Sequence, residues 1–196
     1  MNILLIAMAG RSLTAQDFRS AEDANGLLPG QKAPLFEAVD QNGMQFKLVE
    51  ALNEGTVLLI FYRGFWCPVC NKHLASFQDS LHLLKEAGVQ LIAVSPEKPE
   101  YLDKMATKTG AKFPLLYDED YRIADAYDVT FKPDAKTLFV YNTMLGAKLK
   151  ETHSDDSQRL PIPATYLITS DGKIKWRHFD PDYKKRSSVS EILKEL

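Results

Sequence analysis

An α/β domain is predicted by two patterns in this 196-residue chain. Apolar runs of strand length alternate with segments whose apolar residues recur at helical spacing. Such alternation is typical of βαβ units, in which a helix crosses from one parallel strand to the next. The order of the segments predicts a central mixed sheet flanked by helices, with an N-terminal hairpin extension and an insertion before the last strands.

The charge balance limits the expected partners. The chain carries 24 basic and 26 acidic residues, for a net charge of −2. Because there is no excess of positive charge, nucleic acid and anionic membrane surfaces are not expected partners. The length fits one domain with decorations, which we expect to span residues 28–196 behind an N-terminal segment of residues 1–27.

The N-terminal segment allows two interpretations. Residues 2–9 are apolar, at the lower limit for the core of a signal peptide, but no Lys or Arg precedes them and Arg11 follows closely. They are equally compatible with a flexible lead or a short strand. A spanning helix needs about 20 apolar residues, so a stable membrane anchor is not expected. The sequence therefore leaves the compartment open between cytoplasmic and extracytoplasmic.

The first predicted elements are a hairpin and a buried strand. Residues 36–39 and 44–48 flank the turn at 41–43, whose sequence Gln-Asn-Gly is typical of a small hairpin. Residues 56–62 are then continuously apolar and rich in β-branched and aromatic side chains. This composition is expected of a central strand that is buried on both faces.

A long helix is predicted directly after that strand. Its apolar residues recur at helical spacing and are Leu74, Phe77, Leu81 and Leu84. Pro68 suits the first turn, where its missing N–H costs nothing. Gly88 is expected to end the helix.

The rest of the chain continues the alternation and closes with a strand pair and a helix. The predicted elements are a strand at 89–94, a helix at 99–109, a strand at 113–117, a helix at 119–127, strands at 163–169 and 174–179 joined by a turn at 170–173, and a helix at 188–196. Gly110 is expected to end the second helix, and Ser187 or Ser188 to cap the last. Residues 130–159 show no clear period and are interpreted as an insertion.

The two cysteines carry the chemistry that the sequence predicts. Cys67 and Cys70 are the chain's only cysteines, and they lie where the central strand meets the helix. At a helix N-terminus, unpaired backbone N–H groups favour a thiolate, and in such motifs the thiol pKa falls from about 8.5 to roughly 3.5–7.5. We therefore expect Cys67 to be the nucleophile and Cys70, one turn further in, to be the resolving cysteine.

The pair is compatible with several chemistries. With a disulfide substrate, Cys67 forms a mixed disulfide that Cys70 displaces; with a peroxide, Cys67 becomes a sulfenic acid with which Cys70 condenses. Two other interpretations are an ordinary buried pair in the core and half of a metal site completed by His73 or His82. The strand, cysteine pair and helix in succession favour the redox interpretation. No cofactor and no resident metal are expected.

Three segments resemble a known family. They are FYRGFWCPVC (61–70), AVSPE (93–97) after the next strand, and PIPATYLI (161–168) near the end. Together they resemble the peroxiredoxin-like redoxins of the AhpC/TSA type in the thioredoxin superfamily, over about residues 28–196. The resemblance implies a thioredoxin-like fold and a disulfide that is reduced by a thioredoxin-like donor.

The last segment supplies two supporting candidates. The resemblance implies that Pro163 is a cis-proline facing the cysteines, with Pro161 as the competing candidate. An ordinary turn proline is the alternative for both, because the cis form is found at only about 5–6% of X–Pro bonds. Thr165 lies two residues further along the same segment and is a supporting candidate with it.

The chain departs from the family at two positions. Typical peroxiredoxins place a Thr or Ser three residues before the peroxide-reactive cysteine, to bond the peroxide, and an Arg near a later strand, to stabilise the thiolate. Here Gly64 stands three residues before Cys67, and Pro163 stands about where the arginine is expected. Arg63 is close enough in sequence to substitute in part, and a solvated loop arginine is the alternative. The resemblance thus supports thiol–disulfide chemistry more strongly than efficient peroxide reduction.

Several other side chains near the motif have two interpretations. His73 stands where similar thiol–disulfide oxidoreductases often carry a Glu, so it is either a group that moves the proton of Cys70 or a partly exposed helix residue. Trp66 and Phe65 form either an apolar rim around Cys67 or part of the core. The basic run at 184–186 is interpreted as a solvated face. The remaining histidines are assigned surface or ordinarily hydrogen-bonded positions and are His82, His153 and His178.

The sequence therefore predicts a thiol-dependent antioxidant oxidoreductase. Its substrate is a peroxide or, alternatively, a protein disulfide. A non-catalytic binding or metal-delivery module on the same fold is a third interpretation. The expected site consists of Cys67 and Cys70, with Trp66, Pro163, Thr165, Arg63 and His73 in support.

Overall fold

The computed structural model describes residues 19–196. The stretch interpreted as a signal-peptide core lies outside the described residues. Residues 19–27 contact the domain: Gly26 N–H donates to the Asp128 carbonyl at 3.1 Å, and Leu27 N–H donates to the Tyr166 hydroxyl at 3.2 Å. The domain boundary at residue 28 stays a prediction.

The described residues form strands and helices in alternation. The strands are β1 (Glu37–Val39), β2 (Gln45–Lys47), β3 (Thr56–Phe61), β4 (Val89–Ser95), β5 (Leu115–Tyr117), β6 (Thr130–Phe131), β7 (Leu160–Pro161), β8 (Ala164–Ile168) and β9 (Ile174–Phe179). The helices are α1 (Leu48–Glu54), α2 (Pro68–Asp79), α3 (Leu81–Glu86), α4 (Pro99–Thr109), α5 (Arg122–Ala126), α6 (Ala135–Phe139), α7 (Leu149–Thr152) and α8 (Val189–Lys194). A 3₁₀ turn at Glu119–Tyr121 precedes α5, and a π-helix at Val140–Met144 follows α6.

A mixed five-stranded sheet forms the centre of the fold. Its strand order is β5-β4-β3-β8-β9, so the predicted central strand β3 lies in the middle. The pairs β3–β4 and β4–β5 are parallel, whereas β3–β8 and β8–β9 are antiparallel. β1 and β2 form the predicted hairpin, and the short pair β6–β7 brackets the insertion. The α/β class with a thioredoxin-like mixed sheet is thus confirmed.

The alternation of side chains along β3 decides which face carries the cysteines. Leu58 and Ile60 pack into the cluster formed with α2, α3, α4 and α8, whereas Leu59 and Phe61 pack on α1 and α5. Full burial of each such side chain contributes about 1.5–3 kcal/mol. Tyr62 continues the register of Ile60, so the chain leaves the strand on the α2 face.

Two predicted helices are divided in the structure. The helix expected to run from Pro68 to Gly88 breaks at Ser80, whose φ and ψ of −104° and 11° are not helical. Serine hydroxyls compete for backbone groups, which favours such breaks. The helix expected at 119–127 begins as a 3₁₀ turn, because Asp120 and Tyr121 have φ values of 57° and 60°.

The last helix begins where expected. Ser188 caps α8, and its hydroxyl and the Glu191 carboxylate form a reciprocal capping box.

Along residues 19–196, no helix is long and apolar enough to cross a membrane.

Candidate active site

The two cysteines meet at the end of the central strand. Cys67 is the N-cap residue of α2, with Pro68 in the first turn, and its sulfur accepts the Cys70 N–H at 3.3 Å. The two Sγ atoms are 2.6 Å apart, so little movement separates them from the roughly 2.05 Å of a disulfide. Cys67 is 1% exposed and Cys70 is fully buried. The pair is therefore poised for disulfide formation inside the protein.

The sulfurs ionise as a pair. Burial opposes ionisation of Cys70, but the hydrogen bond with Cys67 and the charges of Arg186 and Arg63 outweigh it and lower its pKa to about 5. The hydrogen bond with Cys70, together with burial, raises the pKa of Cys67 well above its usual range. Because the groups are coupled, these shifts describe a pair that loses one proton readily and the second with difficulty. These directions are the reverse of the sequence expectation, in which the helix start lowers the pKa of Cys67: here the hydrogen bond between the sulfurs favours the charge on Cys70, and Cys67 becomes the thiolate when its proton passes to Cys70 across the 2.6 Å between them.

Arg63 supplies the positive charge next to Cys67. The side chain is 2% exposed, with Nη2 3.7 Å from the Cys67 sulfur, and Nη1 donates to the Tyr141 hydroxyl at 2.8 Å. Burial opposes its charge, but the neighbouring sulfurs of Cys67 and Cys70 raise its pKa, so it stays protonated. The salt bridges among residues 19–196 do not include Arg63. It is therefore a buried cation whose counter-charge is the cysteine pair, and not a solvated loop arginine.

Aromatic rings enclose the Arg63 guanidinium. Its central carbon lies 3.9 Å from the ring centre of Tyr183, 5.0 Å from that of Tyr141 and 5.3 Å from that of Trp66. Trp66 is 8% exposed and packs on Tyr141 with ring centres 4.9 Å apart, so it belongs to the core. Phe65 is half-buried against the same cluster. Favourable cation–π contacts of this kind keep the guanidinium fixed beside the sulfur.

The insertion contributes to the site through Tyr141. This tyrosine lies in the π-helix Val140–Met144, a rare conformation that occurs often at functional sites. Its hydroxyl and ring both contact Arg63. The stretch without a clear period is therefore part of the redox site.

Arg186 corrects the interpretation of the basic run at 184–186. Lys185 pairs with Asp180 at 2.9 Å on the surface, as expected of a solvated face. Arg186 instead turns inward, with Nη2 3.6 Å from the Cys70 sulfur. The adjacent Ser187 is buried and anchored, which brings residue 186 over the cysteine pair.

His73 and Thr165 hold that anchor in place. The His73 Nε2 lies 3.0 Å from the Ser187 carbonyl oxygen, and the Thr165 hydroxyl lies 2.8 Å from the Ser187 hydroxyl. His73 is 6% exposed, and burial, with the charge of Arg186 adding to it, lowers its pKa to about 4. It is thus not a partly exposed helix residue. No hydrogen bond joins it to Cys70 in the described chain.

Three residues before Cys67, the space beside Gly64 is occupied by the side chain of Glu97, which follows β4. Gly64 has a φ of 153°, and a Cβ there would lie 2.5 Å from Oε1 of Glu97. Glu97 is 1% exposed and its Oε2 accepts the Phe65 N–H at 2.7 Å. Burial raises the pKa of Glu97 to about 8, with the charge of Cys70 adding to it. A Thr or Ser side chain at position 64 would collide with this carboxyl.

Pro163 does not have the expected conformation. The peptide bonds before Pro161 and Pro163 are both trans. The chain here runs from β7 into β8 without a tight turn, and Ile162 N–H donates to the Val129 carbonyl at 2.7 Å, so nothing requires a cis bond. Pro163 lines a cavity of about 380 Å³ whose wall also includes Arg63.

Four residues of the site were missed or given no role from the sequence, and they are Glu97, Tyr141, Tyr183 and Arg186. Glu97 lies in one of the family-like segments, and its one visible signal is an acidic residue just after a buried strand. The others lie far from the cysteines in sequence and carry no local signal.

His153, assigned an ordinary hydrogen-bonded position, is buried with Nδ1 2.6 Å from the Tyr121 hydroxyl.

Across residues 19–196, no three His, Cys, Asp or Glu side chains cluster closely enough to hold a metal ion.

The chain is similar in sequence to known proteins. A model of the AhpC/TSA family matches residues 29–177. Peroxiredoxin Bcp of Escherichia coli K12 is 30% identical over 169 residues, which cover 86% of this chain and 95% of that protein. The thiol-disulfide oxidoreductase ResA of Geobacillus thermodenitrificans is 25% identical and covers 88% of this chain and 80% of its own length.

Solved structures show the same fold. Peroxidoxin BcpB from Mycobacterium tuberculosis superposes with a TM-score of 0.65 at 21% identity, covering 85% of this chain and 92% of its own. The bacterioferritin comigratory protein of Xanthomonas campestris superposes with a TM-score of 0.61 at 19% identity, covering 88% and 95%.

Proposed function

The chain belongs to the AhpC/TSA family of peroxiredoxin-like redoxins, and from this membership we propose that it is a thiol peroxidase. As a member of that family it is a thiol oxidoreductase. The finer assignment makes Cys67 the nucleophile that attacks a hydroperoxide and Cys70 the residue that resolves the product. A thioredoxin-like dithiol donor would then reduce the disulfide.

The observation that carries the proposal is the placement of Arg63. A buried guanidinium 3.7 Å from the Cys67 sulfur favours the thiolate before attack. The same charge stabilises the negative charge that develops on the departing oxygen as the O–O bond breaks. Arg63 therefore supplies from the cysteine loop the cation that the sequence lacks at Pro163.

The proposed reaction has three steps. The Cys67 thiolate takes the terminal OH of the hydroperoxide, the O–O bond breaks, and the alkoxide leaves as an alcohol after taking a proton from solvent. Cys70 then attacks the sulfenic acid, releasing water and forming the Cys67–Cys70 disulfide. A donor dithiol finally reduces this bond by exchange and becomes a disulfide itself.

Reduction of protein disulfides is the second candidate. It is supported by the ResA relative, whose name describes a thiol–disulfide oxidoreductase, and by two cysteines at a helix start. The burial of the pair favours the first candidate, because a small hydroperoxide needs less opening of the structure than a protein disulfide does. The relative with the higher identity is also a peroxiredoxin.

Stopped-flow oxidation of the reduced protein tests the proposal, with Trp66 fluorescence as the signal. We expect the wild type to consume hydroperoxide far faster than free cysteine, Cys67→Ser to lose this reaction, and Cys70→Ser to stop as a sulfenic acid after one turnover. A wild-type rate no greater than that of free cysteine would contradict the peroxidase. Turnover of insulin disulfides that needs both cysteines would then support the second candidate.

A further inference from the structure

One carboxyl group near the site has no part in the reaction described so far. Glu97 lies two residues after the end of β4 and is 1% exposed. Within residues 19–196 it forms no salt bridge. Because an isolated buried carboxylate is costly, such a group is normally neutral or held by specific contacts. Both apply to Glu97, because burial raises its pKa and the Phe65 N–H donates to its carboxyl group.

Its carboxyl group contacts the loop that leads to Cys67. Oε2 accepts the Phe65 N–H at 2.7 Å. A Cβ added to Gly64 would lie 2.5 Å from Oε1 of Glu97 and 2.7 Å from the indole Nε1 of Trp66. The carboxyl oxygen and the indole nitrogen therefore both border the space that a side chain at position 64 would occupy. The Trp66 N–H is buried and has no hydrogen-bond partner. The carboxyl is therefore packed against the three residues directly before Cys67.

A backbone hydrogen bond connects this loop to Cys67. The Gly64 carbonyl accepts the Cys67 N–H at 3.1 Å, so residues 64 and 67 form one tight turn. We expect a change in the hydrogen bond between Phe65 N–H and Glu97 to displace this turn. The same turn positions the Cys67 sulfur at the start of α2.

Several titratable groups face Glu97. They are Cys70 on α2, Tyr101 and Lys104 on α4, Tyr62 after β3, and His153, which forms a β-bridge with Glu97. Burial raises the pKa of Tyr62 and of Tyr101, and burial lowers that of His153 to about 4. The pKa of Cys70 is lowered to about 5 and that of Cys67 is raised well above its usual range. Of these shifted groups, Glu97 is the one whose pKa, about 8, falls between pH 6 and pH 10.

We propose that Glu97 is a positioning residue for Cys67 and that its ionisation changes the reactivity of this sulfur. The proposal rests on the role of Cys67 given above. Ionised Glu97 places a second negative charge near the pair and strengthens the bond from Phe65 N–H. The negative charge of Glu97 makes the Cys67 thiolate more basic, and the nucleophilicity of a thiolate rises with its basicity.

Alkylation of the reduced full-length protein by iodoacetamide tests this without a peroxide. The rate of the first adduct at Cys67, followed by mass spectrometry from pH 6 to pH 10, should rise about threefold in a step centred near pH 8. Glu97→Gln keeps the shape but cannot ionise, so its profile should be flat. The control is Glu100→Gln, an exposed neighbour, which should keep the step.

A flat wild-type profile, or the same step in Glu97→Gln, would overturn the proposal. If Glu97→Gln does not fold by circular dichroism, infrared difference spectra of the wild type decide instead. A protonated carboxylic acid band present at pH 7.5, where the buried Asp118 with its pKa of about 6 is already ionised, and absent at pH 9.5 supports the proposal, and its absence at both contradicts it. A protein that shows the step yet reduces peroxide no faster than free cysteine keeps this proposal and loses the peroxidase.

Discussion

Two largely buried arginines of this protein differ in their counter-charge. Arg159 stacks 4.3 Å from the Tyr121 ring centre, and its Nη1 lies 2.9 Å from the Asp125 carboxylate. Arg63 stacks 3.9 Å from the Tyr183 ring centre, and its polar contacts are with the Cys67 sulfur and the Tyr141 hydroxyl. A buried cation needs a negative partner, and at Arg159 carboxylates supply it permanently. At Arg63 the partner is a thiolate, which exists only while the cysteines are reduced.

The largest expected effect separates the two arginines by activity. Arg63→Met removes the cation beside Cys67 and should lower the rate of Cys67 oxidation by peroxide about 100-fold. Its free energy of unfolding should also fall, by about 1–3 kcal/mol, because Tyr141 loses a hydrogen-bond partner and the surrounding rings lose a cation, although the thiolate can take up a proton. Stopped-flow oxidation and urea unfolding of the same preparation measure the two quantities.

Arg159→Met is the matched control and should lower stability without lowering activity. It removes ion pairs to the partly exposed carboxylates of Asp125 and Asp155 and the stacking on Tyr121, so the free energy of unfolding should fall by about 1 kcal/mol. The peroxide rate should stay within twofold of the wild type. Equal losses of activity in both variants would refute the distinction drawn between the two sites.

The acid dependence of the reaction sharpens the same contrast. The lower pKa of the coupled pair, about 5, is that of Cys70, and Cys67 becomes a thiolate by passing its proton to ionised Cys70, so the thiolate is available above that pH and is lost as the pH falls through it. The peroxide rate should be level from pH 6 to pH 7 and then drop about tenfold for each unit well below pH 5. In Arg63→Met the midpoint should move to higher pH, whereas Arg159→Met should leave it in place. A midpoint unchanged in Arg63→Met would show that Arg63 does not stabilise the thiolate.

The smallest expected effect concerns the tyrosine hydroxyls that contact each arginine. Tyr141→Phe keeps the ring over Arg63 but removes the acceptor of Nη1, and should lower the peroxide rate about fivefold, equivalent to one hydrogen bond of about 1 kcal/mol. Tyr121→Phe removes a hydroxyl bonded to His153 and to the Arg159 carbonyl. It should lower stability without changing that rate. Steady-state peroxidase assays and thermal melts provide the comparison.

Much of the fold was accessible from periodicity. The runs that form β3, β4 and β9 and the helix α4 were predicted within about one residue of their observed ends, because strand and helix periods are local properties of the chain. The break at Ser80 was missed because the buried apolar spacing continues through it. The predicted cis form of Pro163 was wrong because it was inferred from family resemblance, whereas the backbone path between β7 and β8 decides the isomer.

The site was accessible in part. Cys67 at the start of a helix follows from an apolar strand, a proline and helical spacing, all between residues 56 and 84. The interpretation of residues 184–186 as solvated was right for Lys185 and wrong for Arg186, since the inward turn depends on a contact between Ser187 and His73. Charge pattern alone does not distinguish these neighbours.

By itself the sequence determined the alternating α/β order, the cysteine pair and its place at a helix N-terminus, because these depend on residues that are close along the chain. The tertiary structure alone decided what surrounds the sulfurs. Tyr141 comes from an insertion, Arg186 from the loop after β9 and Glu97 from the end of β4, and each reaches the site through packing over long sequence separations. Burial then sets their charges, since the loss of water around a group shifts its pKa by amounts that no local motif encodes.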